Sequence, residues 1–125
     1  MANMISDSTI QAIRDFTKER GWERFHTPGN LAKSIIIEAA ELLECYQWTP
    51  EAPVSDIQHA QEELADVLTY CIMMADVLGV DMDDIIMGKL AKTASKYPAE
   101  AVRGNFDEYE SRHLAARESD ETAQQ

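Results

Sequence analysis

Between residues 31 and 78 the apolar side chains recur at intervals of three and four, and the same spacing carries two pairs of acids, Glu38 with Glu41 and Glu63 with Asp66. At about 100° per residue, the members of each pair lie roughly 60° apart on a helix, so each pair faces one way. Glu38 falls angularly among Leu31, Ile35, Leu42 and Cys45, and Glu63 among Ala60, Val67, Tyr70 and Met74. A carboxylate within an apolar stripe is costly to bury alone, and four turned inward repel one another unless positive charge sits between them. The pattern constrains fold and chemistry together: two neighbouring antiparallel helices offer their acids to a shared divalent cation.

The rest of the chain punctuates itself as further helices. A first helix is expected from Ser6 or Asp7, turning Ile10, Ile13 and Phe16 inward until Gly21 ends it. After the aromatic link Trp22-Glu23-Arg24-Phe25-His26 comes the turn Thr27-Pro28-Gly29-Asn30, with Asn30 as the cap of a second helix that reaches Trp48. Ser55 and Gln58 have capping-box spacing and open a third helix, which Gly79 stops after Leu78. Asp81, Asp83 and Asp84 suit the start of a fourth helix ending before Pro98. Beyond Gly104 a short polar helix is expected over 108–117, and 119–125 carries too few apolar groups to pack and reads as disordered.

No strand-period alternation of useful length interrupts this series, so the expectation is an all-α fold. A four-helix bundle core should occupy 1–104, followed by a polar, partly disordered extension over 105–125. Ile36 and Leu43 lie nearly opposite Glu38, so a lone chain would leave an apolar set in water; a homo-oligomer, dimer or tetramer, is expected to cover it.

Charge and composition remove whole function classes. A formal net charge of -12 on 125 residues disfavours a general nucleic-acid binder, which needs a basic surface. No apolar run is long enough to cross a bilayer, and residues 1–6 lack the basic and apolar regions of a secretory signal, so a cytoplasmic protein without membrane contact is expected. Cys45 and Cys71 fall in helices without any metal-binding or redox spacing, as two small buried thiols would.

Ligation by oxygens alone suits Mg²⁺ first and Mn²⁺ second, rather than zinc. A di-iron bundle needs Glu-x-x-His on each of two helices; His59 follows Asp56 at that spacing, with no second copy. Glu44 and Glu62 extend the acidic rows and can assist a metal or simply meet solvent. Lys89, Lys92 and Lys96 share one arc of the fourth helix, which fits docked phosphates as well as a solvated stripe complementing the helix dipole. Trp22, Phe25, His26 and Trp48 lie at loops, where they can stack on a base or staple helix ends. Tyr70, one turn after Asp66, can meet metal-bound phosphates or belong to the core.

Taken in order, Gly21-Trp22-Glu23-Arg24-Phe25-His26, the Asn30-Leu31 helix start, Glu38-x-x-Glu41, Gln47-Trp48, Glu63-Leu64-Ala65-Asp66 and Lys96-Tyr97-Pro98 resemble the MazG-like all-α nucleotide pyrophosphohydrolases. Within them the dCTP pyrophosphatase branch is the nearest in pattern, over residues 10–104. The resemblance implies a Mg²⁺-dependent enzyme that cleaves a nucleoside triphosphate, dCTP or a related pyrimidine dNTP, between its α and β phosphates, for nucleotide-pool house-cleaning. It also implies metal ligation by Glu38, Glu41, Glu63 and Asp66, a base pocket at Trp22 and Trp48 with His26 nearby, and phosphate contacts from Lys89, Tyr97, Tyr70 and Lys96. Glu41 and Glu38 are the candidate bases. Related sequences often carry Asn where this chain has Thr93, whose hydroxyl is shorter and lacks the amide's paired donor and acceptor. A catalytically silent helical module that binds nucleotide or protein through the acidic face is the alternative, and a phosphoribosyl-ATP pyrophosphohydrolase is the enzymatic rival.

Overall fold

A computed structural model describes residues 5–51 and 57–124, and every regular element among them is helical. The chain divides into two compact units, residues 1–81 and 82–125.

In the first unit, α1 spans Asp7–Glu19. The Ser6 hydroxyl accepts from the Thr9 amide at 3.2 Å, and Asp7 lies at the positive end of the helix dipole. Gly21, at φ 63°, takes the left-handed conformation that turns the chain into a 3₁₀ turn over Trp22–Phe25. The second helix, α2, spans Pro28–Glu44, and α3 spans Ile57–Leu78. These two helices pack together, and Leu31, Ala60, Ile72, Met73 and Ala75 form the buried apolar core. A two-pronged ion pair from Arg14 to Asp76, with Nη2 to Oδ1 at 2.8 Å and Nε to Oδ2 at 3.0 Å, ties α1 to α3.

Three expectations change in this unit. Thr27, rather than Asn30, caps α2, accepting from the Asn30 amide at 3.2 Å; proline has no N–H to satisfy and fits the first helical position, so the helix begins at Pro28. Asn30 instead donates its side-chain amide to the Phe25 carbonyl at 3.0 Å, tying the 3₁₀ turn to the helix. The second helix also stops at Glu44, short of Trp48, because the amides of Cys45, Tyr46 and Gln47 reach back only three residues and tighten the chain out of the α-helix. Phe16 is 43% exposed, and Thr17 takes the buried position of α1 with its hydroxyl donated to the Ile13 carbonyl. The Phe16 ring instead packs under the Arg20 guanidinium at 3.6 Å and edge-on to Trp22 at 5.5 Å.

Gly79, at φ 66°, ends α3, as expected; its amide and that of Val80 bond the Asp76 and Ala75 carbonyls. The expected Ser55 capping box lies outside the described residues. Ile36 and Leu43 are each 67% exposed, and Leu64 and Leu68 are also exposed, so both α2 and α3 carry apolar surface beyond that in the core.

The second unit contains α4 at Met82–Lys96, α5 at Ala99–Val102 and α6 at Phe106–Ala123. Helix α6 runs through most of the stretch expected to be disordered. Its start is capped by Asn105 Oδ1 on the Glu108 amide at 3.1 Å, and Arg112 donates to Glu108 at 2.7 Å one turn on. Tyr109 packs on Tyr97 with 5.2 Å between ring centroids. Capping, i to i+4 pairing and this aromatic contact hold the start of the helix, which covers the turns expected over 108–117 and runs on to Ala123 through residues with few apolar groups. No helix among the described residues is long and apolar enough to cross a membrane.

Candidate metal and nucleotide site

The helical spacing sets Glu38 and Glu41 one turn apart on α2, and Glu63 meets them from α3. One carboxylate oxygen from each of Glu38, Glu41 and Glu63 lies within 4.8 Å of the other two. Their surroundings differ: Glu63 is only 8% exposed, Glu38 is half-buried and Glu41 is exposed. The Oε2 atoms of Glu38 and Glu63 are buried with no hydrogen-bond partner. A buried carboxylate oxygen without a donor is unfavourable, and two of them beside a third acid make a donor set that fits a hard divalent cation.

The electrostatics agree with that fit. Burial first, then Glu41, and then Asp66 and Glu63 push the Glu38 carboxyl up to about 7. Glu63 is raised by burial and by Glu41, with Asp66 adding to the rise and His59 opposing it. His59 Nε2 lies 3.5 Å from Glu63 Oε1, one turn earlier on α3. His59 therefore serves Glu63 rather than a di-iron centre, and its i to i+4 spacing to Glu63 is the signal in the sequence for this contact.

Asp66 is exposed and lies outside the group of three that converge, although its charge bears on both Glu38 and Glu63. It lines a neighbouring cleft of about 430 Å³ together with Trp22, Phe16, Tyr70 and Met73. An acid, an indole and a phenol thus share one opening, a combination that only the packing of α1, the 3₁₀ turn and α3 brings about. His26 is not in that cleft; it lines a separate cavity of about 440 Å³ with Arg14, Lys18, Glu23 and Asp76. Trp48 follows the end of α2 and is 86% exposed. Glu44 and Glu62 are exposed, and Glu62 accepts from Gln58 at 3.4 Å.

Lys89, Lys96 and Tyr97 belong to the second unit, where they line a cleft of about 510 Å³ between α4 and α6. Thr93 lies in the same cleft, but its hydroxyl donates to the Lys89 carbonyl at 3.0 Å within α4.

Comparison with known proteins gives this geometry a context. Residues 33–111 match the model of the MazG-like family. Over 114 residues, 82% of this chain and 67% of the relative, the sequence is 34% identical to dCTP pyrophosphatase 1 of Mus musculus. It is 33% identical over 114 residues to dCTP pyrophosphatase 1 of Homo sapiens, with the same coverage of both chains. The crystal structure of a pyrophosphatase from Archaeoglobus fulgidus superposes with a TM-score of 0.65 at 34% identity, covering 78% of this chain and 98% of that one.

Proposed function

The chain belongs to the MazG-like family, and from that premise we propose that it is a divalent-metal-dependent nucleotide pyrophosphohydrolase that converts dCTP or a related pyrimidine dNTP to dNMP and pyrophosphate. The observation that carries the reading is the convergence of Glu38, Glu41 and Glu63, with two buried oxygens lacking a donor, coupled through Asp66 to a cleft lined by Trp22 and Tyr70. Nucleotide-pool house-cleaning follows from that activity.

Glu38, Glu41, Glu63 and Asp66 would hold Mg²⁺, with Mn²⁺ as the substitute. When bound, the cation supplies the positive charge that α–β cleavage of a triphosphate requires. Glu38 or Glu41 takes the proton of the attacking water, and burial, followed by the neighbouring Glu41, raises the Glu38 carboxyl into the range where it can accept one. In the first unit Trp22 and Trp48 stack on the base and Tyr70 meets phosphate beside Asp66; in the second unit Lys89, Lys96 and Tyr97 are phosphate-contacting residues. No covalent intermediate is involved. A homo-oligomer with a four-helix core covers the apolar surface that includes Ile36, Leu43, Leu64 and Leu68.

Incubating the protein with a panel of standard and modified dNTPs, in Mg²⁺, Mn²⁺ or EDTA, tests this directly. Metal-dependent release of dNMP and pyrophosphate in equal amounts, greatest for cytosine nucleotides, is expected on chromatography. A protein that yields neither product with any nucleotide is a binding module instead.

Trp48 offers a sharper test because its exposure means that truncation removes little packing from the core. Losing one base-stacking surface costs about 1–3 kcal/mol, so Trp48→Ala is expected to raise KM for dCTP about tenfold while leaving the Mg²⁺ activation curve in place. A shifted metal curve with unchanged KM would make this tryptophan structural.

A further inference from the structure

The cleft between α4 and α6 carries chemistry beyond the family match, which stops at residue 111, whereas His113, Arg117 and Asp120 come later on α6. We propose that two residues of α6 extend the phosphate contacts of Lys89, Lys96 and Tyr97 in this cleft: Arg117 is a further anion-gripping cation, and His113 is the positioning residue of the Tyr97 hydroxyl.

Charge supports that assignment first. The chain has 11 Lys and Arg against 23 Asp and Glu, yet three of those cations line this one cleft, with Asp120 as its acidic lining residue. A locally cationic opening on so acidic a protein selects a small anion over a nucleic acid, whose extended phosphate backbone would meet the negative field of the whole chain. Lys89 and Lys96 stand seven residues apart on α4, about 10 Å along the axis, so the positive charge is drawn out in a row. A chain of phosphates fits a row better than a single compact anion does.

The donors are prepared as well. The Tyr97 phenol and His113 Nδ1 share a hydrogen bond of 3.1 Å. Tyr109 stacks on His113 at 6.0 Å and packs on Tyr97 at 5.2 Å, so the three rings brace one another. With Nδ1–H donating to the phenolic oxygen, the Tyr97 O–H is left to point at a phosphate oxygen. The Lys96 ammonium meets Asp120 at 3.4 Å, with the Asp120 side chain well exposed and that of Lys96 partly so. Such a pair contributes little, and a phosphate oxygen displaces the carboxylate at small cost. The cleft volume of about 510 Å³ is within the usual range for small-ligand sites.

The occupant is either the tail of the nucleotide substrate or free pyrophosphate, so the reading rests in part on the proposed activity, and the experiment separates the two. Isothermal titration of the metal-free full-length protein with inorganic pyrophosphate takes the carboxylate site out of play. The wild type is expected to bind, Arg117→Gln to bind about tenfold more weakly, and Arg117→Lys to fall between. His113→Ala and Tyr97→Phe should each weaken binding several-fold without adding in the double variant, and His113→Asn, which retains a donor, should recover part of the loss. Titration with a non-hydrolysable α,β-methylene dCTP shows the source: parallel losses assign the cleft to the substrate tail, and losses confined to pyrophosphate assign it to the product. Backbone amide shifts of the wild type on adding pyrophosphate, centred on residues 113–117, give the same answer without any variant. Absence of pyrophosphate binding, equal affinity in Arg117→Gln, or shifts elsewhere overturn the site. Pyrophosphate binding without dNTP turnover would leave the cleft standing and remove the proposed activity.

Discussion

Glu63→Gln is expected to lower dCTP turnover on the order of 10³-fold, the scale of losing one preorganised electrostatic partner, while raising the melting temperature of the metal-free protein. Both effects come from its position. Glu63 is the most buried of the three converging acids, its Oε2 has no donor, and both burial and Glu41 oppose its ionisation. Glutamine keeps the volume, so no cavity opens in the α2–α3 contact, and it removes one charge from a self-repelling cluster. The site loses a ligand and the fold loses a repulsion. Glu62→Gln is the control, since Glu62 is exposed and bonded to Gln58 on its own helix; its turnover and melting temperature should match wild type. A product assay and a thermal scan on both proteins suffice. Full activity in Glu63→Gln removes Glu63 from the site, and a lower melting temperature removes the repulsion argument.

The helices and the shared face of Glu38 and Glu41 were legible because both depend on spacing along one chain, whereas the arrival of Glu63 from α3 without Asp66 depends on how α2 and α3 pack. Gly21 and Gly79 end their segments for a reason visible in sequence, since a left-handed residue is cheap only for glycine. Glu38 and Glu41 share a face by helical geometry alone, and apolar neighbours marked that face as inward. The remaining features depend on tertiary contacts or on competition between local ones. Thr27 and Asn30 are both good caps, and the choice between them turned on the missing N–H of Pro28. Thr17 displaced Phe16 from the buried stripe because its hydroxyl could be satisfied within the helix and Phe16 found Arg20 and Trp22 outside it. The helix over 106–123 draws on contacts with Tyr97 and Lys96 that no composition argument contains. For the same reason the shared cleft of Trp22, Asp66 and Tyr70, and the separation of His26 from it, became visible only once three elements were packed.

Stripping the protein of divalent metal is expected to abolish turnover and to invert the usual acid sensitivity of its fold. A carboxyl whose folded pKa is raised gives its full contribution when protonated, below the ordinary value of 4.5, and loses it as pH rises through the folded value. For Glu38 that window runs from 4.5 to about 7, and Glu63 is shifted in the same direction. After allowance for solvent screening at a half-buried site, Glu38 alone contributes about 1–2 kcal/mol across the window. A loss of roughly 3–10 °C in melting temperature between pH 4.5 and pH 7.5 is therefore expected in EDTA. Adding Mg²⁺ at pH 7.5 should restore it, because a cation that binds only the folded carboxylates stabilises by mass action. The net charge of -12 also destabilises the compact state as pH rises, so the local effect has to be separated from the global one. Salt does this: 1 M NaCl screens charges beyond about 3 Å in solvent but acts weakly on a partly buried cluster. Glu38→Gln does it from the other side, flattening the slope that salt leaves behind. A metal-free protein that gains stability through this window, or a Glu38→Gln variant with an unchanged slope, would show that these carboxylates are not held against their own repulsion, and with that the physical reason for a cation among them would be gone.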